Sequence, residues 1–404
     1  MIKKLFFIVN LLIGLILVNS TPAQEFKIGE YSAYAIIGEA NLLKDADYIS
    51  FTGDFGFRGQ LPPDKVIEHH LSHESSLLKN FQLRVINFEF MLSGVSGLVS
   101  DRQIDNAMIT ILKKDGYDLI ARANNHALDF GTEGIRYNSV KLEKAGLSTI
   151  GTREFPVHYW ETGGYRVAIY SLTDYIDHPD PERLILRLDE VDLSLVKRLN
   201  HDSHFQIAFV HLGSMSSFVS PHEHQQVERL LKAGIDLVVC TGSHFIKGIV
   251  TTNGKPVAYG IGNHLFSYVD NETEPIGMHL VAGFISGEFA QLFVVPFYNS
   301  IWEGKTGPLN KTDFELFKKN LGERSSQDTK LYFSDPRNLN NLKDQFRRFR
   351  LNSLKEIKLR HIKYAAEIVW YNYPIITVVC SMAITVALGL LILKMHFIRR
   401  QRRN

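Results

Sequence analysis

The sequence predicts an α/β protein, and three observations carry that prediction. Apolar runs that read as strands alternate with helical stretches along the chain. Several of those runs end in a short polar island, GDFG, NFE, ANNHALDFGTEG, HLG, GSH and IGN between Gly53 and Asn263, and an α/β sheet gathers ligands at one edge in this way. The length of 404 residues, at 45% hydrophobic and 22% charged, suffices for one sizeable domain with appendages.

Met1 to Ala23 carries Lys3 and Lys4, an apolar run from Leu5 to Val18, and the small residues Thr21 and Ala23 where a cleavage site would need them. A secretory signal peptide over 1–23 is expected, and an uncleaved anchor is the other reading; the apolar run falls short of the ~20 residues of a spanning helix. Asp47 to Gly53 reads as a strand, Pro63 to Asn80 as a helix and Leu83 to Asn87 as a strand. Asp101 to Lys114 is helical, Tyr117 to Ala121 extended, and Thr132 to Ala145 helical with Gly146 as its stop. Tyr165 to Leu172, Phe205 to Val210, Ile235 to Cys240 and Pro256 to Ile261 follow as strands, with a helix from Pro221 to Ala233. Met278 to Pro296 is strand-like and closes a main domain placed at 46–300.

Residues 301–373 turn polar, charged and helix-favouring, as a juxtamembrane stalk or a packed helical extension would. At 374–396 the run PIITVVCSMAITVALGLLILKMH is long enough to span a bilayer, with Trp370, Tyr371 and Tyr373 before it and Arg399, Arg400, Arg402 and Arg403 after it. A single transmembrane helix with a basic cytoplasmic tail at 397–404 is expected. It places the main domain on the extracytoplasmic side of the plasma membrane.

Forty-five basic residues against 43 acidic ones give a net charge of +2, which argues against a nucleic-acid binder that relies on bulk charge. The basic residues concentrate near the C-terminus, in KDQFRRFRLNSLKEIKLRHIK and RRQRRN, where a membrane surface accounts for them. Of the two cysteines, Cys380 lies in the predicted span, so no intrachain bridge to Cys240 is expected. Cys240 ends the apolar run IDLVVC and reads as a small core residue.

The polar islands suit a hydrolytic site supported by one or two cations, which lower the pKa of bound water and stabilise a developing oxyanion. Mn²⁺, Mg²⁺ and Zn²⁺ take carboxylate, amide-oxygen and imidazole ligands. Asp54 follows the strand YISFTG, Glu89 follows LRVINF, and Asn125 and His126 follow YDLIARA, with Asp129 in the turn that ends at Gly131. His211 ends FQIAFV, and His244 follows DLVVCTGS. His69, His70 and His73 in IEHHLSHES carry a tempting i,i+4 spacing, but they sit on a polar helix with no carboxylate of clear role, and a solvated face is expected. His222 and His224 flank Glu223 in the first turn after Pro221 and read the same way.

ANNHALDFGTEGI from Ala123 to Ile135, followed by LEKAGLSTIGT, resembles the signature segment of the CapA-like family, associated with capsule and poly-γ-glutamate synthesis. GDFGF at Gly53, NFEF at Asn87, HLGS at His211, AGIDLVVCTGSHFIKGI from Ala233 and KPVAYGIGNHLFS from Lys255 follow the family's order, so the resemblance covers residues 46 to 285. It implies a four-layer α-β-β-α sandwich of metallophosphoesterase type, here with a C-terminal helical extension and the transmembrane helix. It implies that Asp54, Glu89, Asn125, His211 and His244 hold one or two divalent ions, Mn, Mg or Zn. His126 would protonate a leaving group or steady the transition state, with Asp129 as the second catalytic residue, and Asn87, Asn124, Asn263 and His264 would bind substrate.

The departures from the family are also specific. Leu212 stands where a Trp is usual, Met215 near an acidic position, Gly242 where one of two imidazoles is usual, and His264 where a Phe follows Gly-Asn. Two functions follow from the resemblance. One is an exported, membrane-anchored metal-dependent hydrolase or transferase acting on a phosphoester or on an amide of an anionic cell-envelope polymer; the other is a non-catalytic protein that binds that polymer or its synthesis machinery.

Overall fold

In the computed structural model, which describes residues 25–57, 64–90, 92, 99–213, 216–266, 275–300 and 304–326, the apolar runs form two sheets and the helical stretches six helices. The strands β1 (Glu25–Ile28), β2 (Tyr31–Ile37), β3 (Ala46–Gly56), β4 (Leu83–Phe88), β5 (Leu119–Ala121) and β6 (Ser148–Ile150) enter the first sheet. The second sheet takes β7 (His158–Thr162), β8 (Tyr165–Thr173), β9 (Phe205–His211), β10 (Leu237–Thr241), β11 (Ile249–Thr252) and β12 (Lys255–Ala258). The chain then returns to the first sheet as β13 (Asn263–Phe266), β14 (Ile276–Ile285), β15 (Glu288–Ser300) and β16 (Lys305–Pro308). The helices are α1 (Asp64–Leu78), α2 (Val99–Asp115), α3 (Gly131–Lys144), α4 (Glu190–Leu199), α5 (Pro221–Lys232) and α6 (Lys311–Ser325).

The first sheet runs β1-β2-β15-β14-β3-β4-β5-β6, and the second β11-β12-β10-β9-β8-β7. β3 to β6 are parallel to one another, as are β8, β9, β10 and β12. Their carboxyl ends therefore collect on one side of each sheet. β14 pairs antiparallel with the first part of β3, from Ala46 to Phe51, and β13 pairs parallel with its last part, at Asp54 and Gly56.

Successive residues of the central strands point to opposite faces, and the apolar clusters record this. Ile86 and Ile120 pack with Leu77, Leu78, Met108 and Leu112 of α1 and α2, whereas their neighbours Val85 and Leu119 pack with Val167, Ile207 and Val239 of the second sheet. On the far face of that sheet, Ala168, Val210 and Val238 pack with Leu193, Val196, Val227 and Leu230 of α4 and α5. Three apolar interfaces thus bury both faces of both sheets, which explains why the parallel strands read as continuous apolar runs. Phe51 and Phe209 meet between the sheets at a ring-centroid distance of 5.4 Å, and truncating either to Ala costs about 3–5 kcal/mol.

Local signals start and stop these elements. Ser220 caps α5 in a reciprocal box with Glu223, and Pro221 occupies the first turn, where its missing N–H has no helical partner to lose. The stretch read as one strand over 278–296 is a hairpin. Ser286 and Gly287 have φ of 50° and 83°, and two consecutive left-handed residues make the tight turn that matches strand twist.

The domain reaches beyond the 46–300 expected from sequence. β1 and β2 extend the first sheet on one side, β16 pairs with β15, and Phe314, Phe317 and Leu321 of α6 lie in the core between the sheets. The expected signal segment at 1–23, the extension after residue 326, the span at 374–396 and the tail at 397–404 lie outside the described residues. Among the described residues, no helix is long and apolar enough to cross a membrane.

Candidate functional site

Two close backbone approaches build the site. The β3–β4 register slips between Thr52 and Asp54, and β13 runs so close that a Cβ on Gly53 would overlap the Gly262 carbonyl. Only glycine fits there, and its absence of a side chain brings Asp54 and Asn263 into direct register. Beyond β10, Gly242 has φ of 85°, and a Cβ on it would lie 2.7 Å from His211 Nε2. The Gly242 N–H donates to Asp54 Oδ2 at 2.9 Å. At the position where the resemblance calls for an imidazole, this chain supplies a backbone donor and lets the His211 ring fill the space.

Asp54, Glu89 and His244 then converge. One ligand atom from each lies within 4.8 Å of the others. His244 Nδ1 is 3.2 Å from Asp54 Oδ2 and 2.8 Å from Asn263 Oδ1, and its Nε2 is 3.6 Å from Glu89 Oε1. His244 has φ of 60°, a conformation uncommon outside glycine that these contacts hold in place. His211 stands beside Asp54, with Nδ1 3.8 Å from Oδ1. Asn87 bridges the two: its amide donates to Asp54 Oδ1 at 2.7 Å and lies 3.2 Å from His211 Nδ1.

His126 reaches the cluster from the loop after β5. Its Nε2 is 3.8 Å from Glu89 Oε1, and its Nδ1 is 3.0 Å from Asp129 Oδ2. Asn124 Oδ1 accepts from the His126 N–H at 3.1 Å, while the Asn124 amide donates to the Phe88 carbonyl at 2.8 Å. Asn125 donates to Asp177 Oδ2 at 3.0 Å and meets the cluster through that residue, which lies 3.8 Å from His126 Nδ1. Phe90 and Phe266 stack at 4.8 Å, against the His126 ring and the His244 ring respectively, and form an apolar wall.

Burial and charge split the titrations. Burial alone would raise the Asp54 pKa, but the hydrogen bond and charge of His244, with the Asn87 amide, hold it below its ordinary value. Burial pushes Glu89 well above the usual carboxylate range, the His244 charge opposing and Asp54, Asp177 and Asp129 adding to it. Burial acts against the charged form of His244, yet Glu89 and Asp54 raise its pKa to about 9. His211 is lowered by burial to about 4. One imidazole is therefore cationic and the other neutral at pH 7.

A cation fits this donor set. Glu89 Oε2 and Asn125 Oδ1 are buried oxygens without a hydrogen-bond partner, and a hard or borderline cation satisfies such atoms. Asn87, Asn124 and Asn263 are buried and their amides hold other site residues rather than facing solvent. His264, expected from the sequence to bind substrate, is instead fully buried with His70, Asp115 and Tyr117. Adjacent residues of a strand face opposite ways, so Asn263 and His264 cannot share the site. His70, expected on a solvated face, is also buried; His69 is exposed and His73 pairs with Glu30. His222 and His224 face Asp174 at 2.7 Å and the Tyr259 hydroxyl at 2.8 Å. Sequence reasoning passed over Asp177 and His178, the latter 3.3 Å from Asp129 Oδ1. Both follow β8 in TDYIDH, the same polar-after-strand signal that marked the other islands.

The family model described as bacterial capsule synthesis protein PGA_cap matches residues 48–268. The chain is similar to PGA biosynthesis protein CapA of Bacillus subtilis, 20% identical over 176 residues, 41% of this chain and 46% of that protein. It is similar to a probable polyglutamine synthesis accessory protein of Mycobacterium tuberculosis, 26% identical over 181 residues, 39% of this chain and 46% of that protein. The chain spans about half the length of these relatives. Among solved structures, a hypothetical protein from Thermus thermophilus aligns with a TM-score of 0.41 at 13% identity, over 62% of this chain and 99% of that one. The matched segment 48–268 contains every residue of the cluster described above.

Proposed function

The chain belongs to the bacterial capsule synthesis protein PGA_cap family, and on that premise we propose that it acts in the synthesis or export of an anionic cell-envelope polymer of poly-γ-glutamate type, through a metal-dependent hydrolytic centre. The three apolar interfaces support a four-layer α-β-β-α sandwich of metallophosphoesterase type as the fold that carries it. One observation carries the reading: Asp54, Glu89 and His244, distant in sequence, bring ligand atoms within 4.8 Å of one another, with Glu89 Oε2 left unpaired beside them.

Asp54, Glu89 and His244 would hold a Mn²⁺, Mg²⁺ or Zn²⁺ ion, with His211 and Asn125 as the further candidate ligands. When bound, such an ion polarises a carbonyl or phosphoryl oxygen at neutral pH. The protein's own groups supply the rest. Asp129 holds His126 through Nδ1, which fixes the ring so that Nε2 is the atom free to pass a proton to a leaving group. Asn124 ties the His126 backbone to the end of β4, and Asn87 fixes Asp54 relative to His211. Phe90 and Phe266 exclude water from one side, which strengthens every charge interaction at the centre.

The run at 374–396 supports a single-pass tether in the plasma membrane with this domain on the extracytoplasmic side. Protease digestion of intact spheroplasts tests this: the domain should be cleaved without lysis, and full protection overturns the orientation. The site is tested by metal analysis of the purified protein and by turnover of poly-γ-glutamate and of a generic phosphodiester before and after chelation. Bound metal and chelator-sensitive turnover are expected; folded protein that takes up no metal sinks the centre. Metal binding without turnover would point to polymer binding alone, a reading that Gly242 favours because its N–H, not a second imidazole, meets Asp54.

A further inference from the structure

A second group of metal-ligating side chains lies under α1 and α2, on the helix-covered face of the first sheet, and shares no residue with the Asp54 centre. His70 of α1, Asp115 at the end of α2 and His264 of β13 place one ligand atom each within 4.8 Å of the others. His70 Nε2 is 3.1 Å from Asp115 Oδ2, and His264 Nε2 is 3.8 Å from the same oxygen. The Tyr117 hydroxyl, 3.5 Å from His264 Nε2, puts a fourth donor within reach. All three ligand side chains are at most 1% exposed.

We propose that His70, Asp115 and His264 form a second cation site, structural in role and of the zinc class. Three observations support it. First, Asp115 Oδ1 is a buried carboxylate oxygen with no hydrogen-bond partner, an arrangement that is costly in an apolar interior unless another group completes it. Second, two imidazoles and one carboxylate are a borderline-soft donor set, which suits Zn²⁺ or Co²⁺ better than Mg²⁺ or Ca²⁺. Third, the cluster has two buried carboxylates, because Glu74 lies alongside, 2.8 Å from His279 Nε2 and 4.0 Å from His264 Nδ1. A divalent ion would offset the buried charge of Glu74 and Asp115 together. His279 completes the surroundings, its Nδ1 2.7 Å from the Thr52 hydroxyl and 3.1 Å from that of Ser50.

The site is sealed, so its ion is acquired as the chain folds and leaves only when α1 lifts. The full chain carrying Asp54→Asn and His244→Gln, which lacks ligands of the first centre, is refolded with Co²⁺ and then briefly treated with chelator. About one Co²⁺ per chain should remain, with the strong visible absorption of a four-coordinate site, and should be released on unfolding. Folded protein that retains no ion overturns the proposal. Adding His264→Gln, or His70→Gln if that chain does not fold, should weaken retention at least about 100-fold; unchanged retention by a folded variant also overturns it. X-ray absorption of the retained ion in the double variant should show two imidazole ligands, and a shell of oxygens alone would refute the assignment without any further substitution.

Discussion

The Asp54–Glu89–His244 cluster and the His70–Asp115–His264 cluster both combine carboxylate and imidazole side chains, yet one opens toward solvent and the other is closed. In the first, Asp54 and Glu89 are buried, but the flanking His126 and Asp129 side chains are 13% exposed and His178 is 50% exposed. In the second, His70, Asp115 and His264 are each at most 1% exposed, and Leu77 and Leu78 of α1 pack into the apolar core on that face of the sheet. Position explains the contrast. A strand's carboxyl end runs into a loop, where polar side chains meet water and ligands, whereas the face beneath a packed helix has no such outlet. Chemistry that must exchange substrate can live only in the first place; a buried polar network in the second serves stability or holds something permanently.

Substitutions can break this contrast, beginning with the largest expected effect. Glu74 pairs with His279 and accepts from the Tyr117 hydroxyl at 3.1 Å inside the closed cluster. Glu74→Ala takes a buried partner from both His279 and Tyr117, so chemical denaturation should register a loss of about 3–5 kcal/mol. A loss below about 1 kcal/mol would show that water reaches the cluster. At the open centre the expected cost is kinetic instead. His126→Ala should lower turnover by about 10²–10⁴-fold while metal content, measured by mass spectrometry, stays at the wild-type level. Loss of metal in that variant would place His126 among the ligands.

The pH dependence sharpens the comparison further. The His244 pKa is raised from 6.5 to about 9 in the metal-free fold, chiefly because Glu89 and Asp54 outweigh burial. Its protonated ring therefore stabilises that fold fully below about pH 6.5, and the contribution disappears as pH rises through about 9. A metal ion must displace the same proton, so calorimetry should find affinity at the open centre climbing by about tenfold per pH unit over that window. Affinity independent of pH would remove His244 from the ligand set. The smallest effect belongs to the exposed neighbour of the closed cluster. His69→Ala should change stability by no more than about 0.5 kcal/mol in the same denaturation assay, against the several kcal/mol of Glu74→Ala.

Much of this was legible before folding, and the misreadings have physical causes. β3, β4, β8 and β9 are long, apolar and bounded by polar islands, so their positions follow from composition alone. β6 is three residues long and β7 is half-buried along most of its length, so neither has a run to detect. His69, His70 and His73 look alike in sequence. Helical period separates them: His70, Glu74, Leu77 and Leu78 share the buried face, and the polar character of the first two disguised it. His264 was misplaced because a strand turns neighbouring residues to opposite faces, and nothing local says which face belongs to which site.

By itself, the sequence determined the family, the alternation of strands and helices, and the order in which Asp54, Glu89, His126, His211 and His244 arrive at strand ends. Only the tertiary structure decided which of their atoms meet. Asp54 and Asn263 come into register because Gly53 lets β3 and β13 touch, and the His211 ring fills the space above Gly242 because no side chain stands there. The first contact joins residues about two hundred positions apart and the second residues about thirty apart; both are set by which strands pair within a sheet rather than by any local preference, and hydrophobic periodicity carries no information about them.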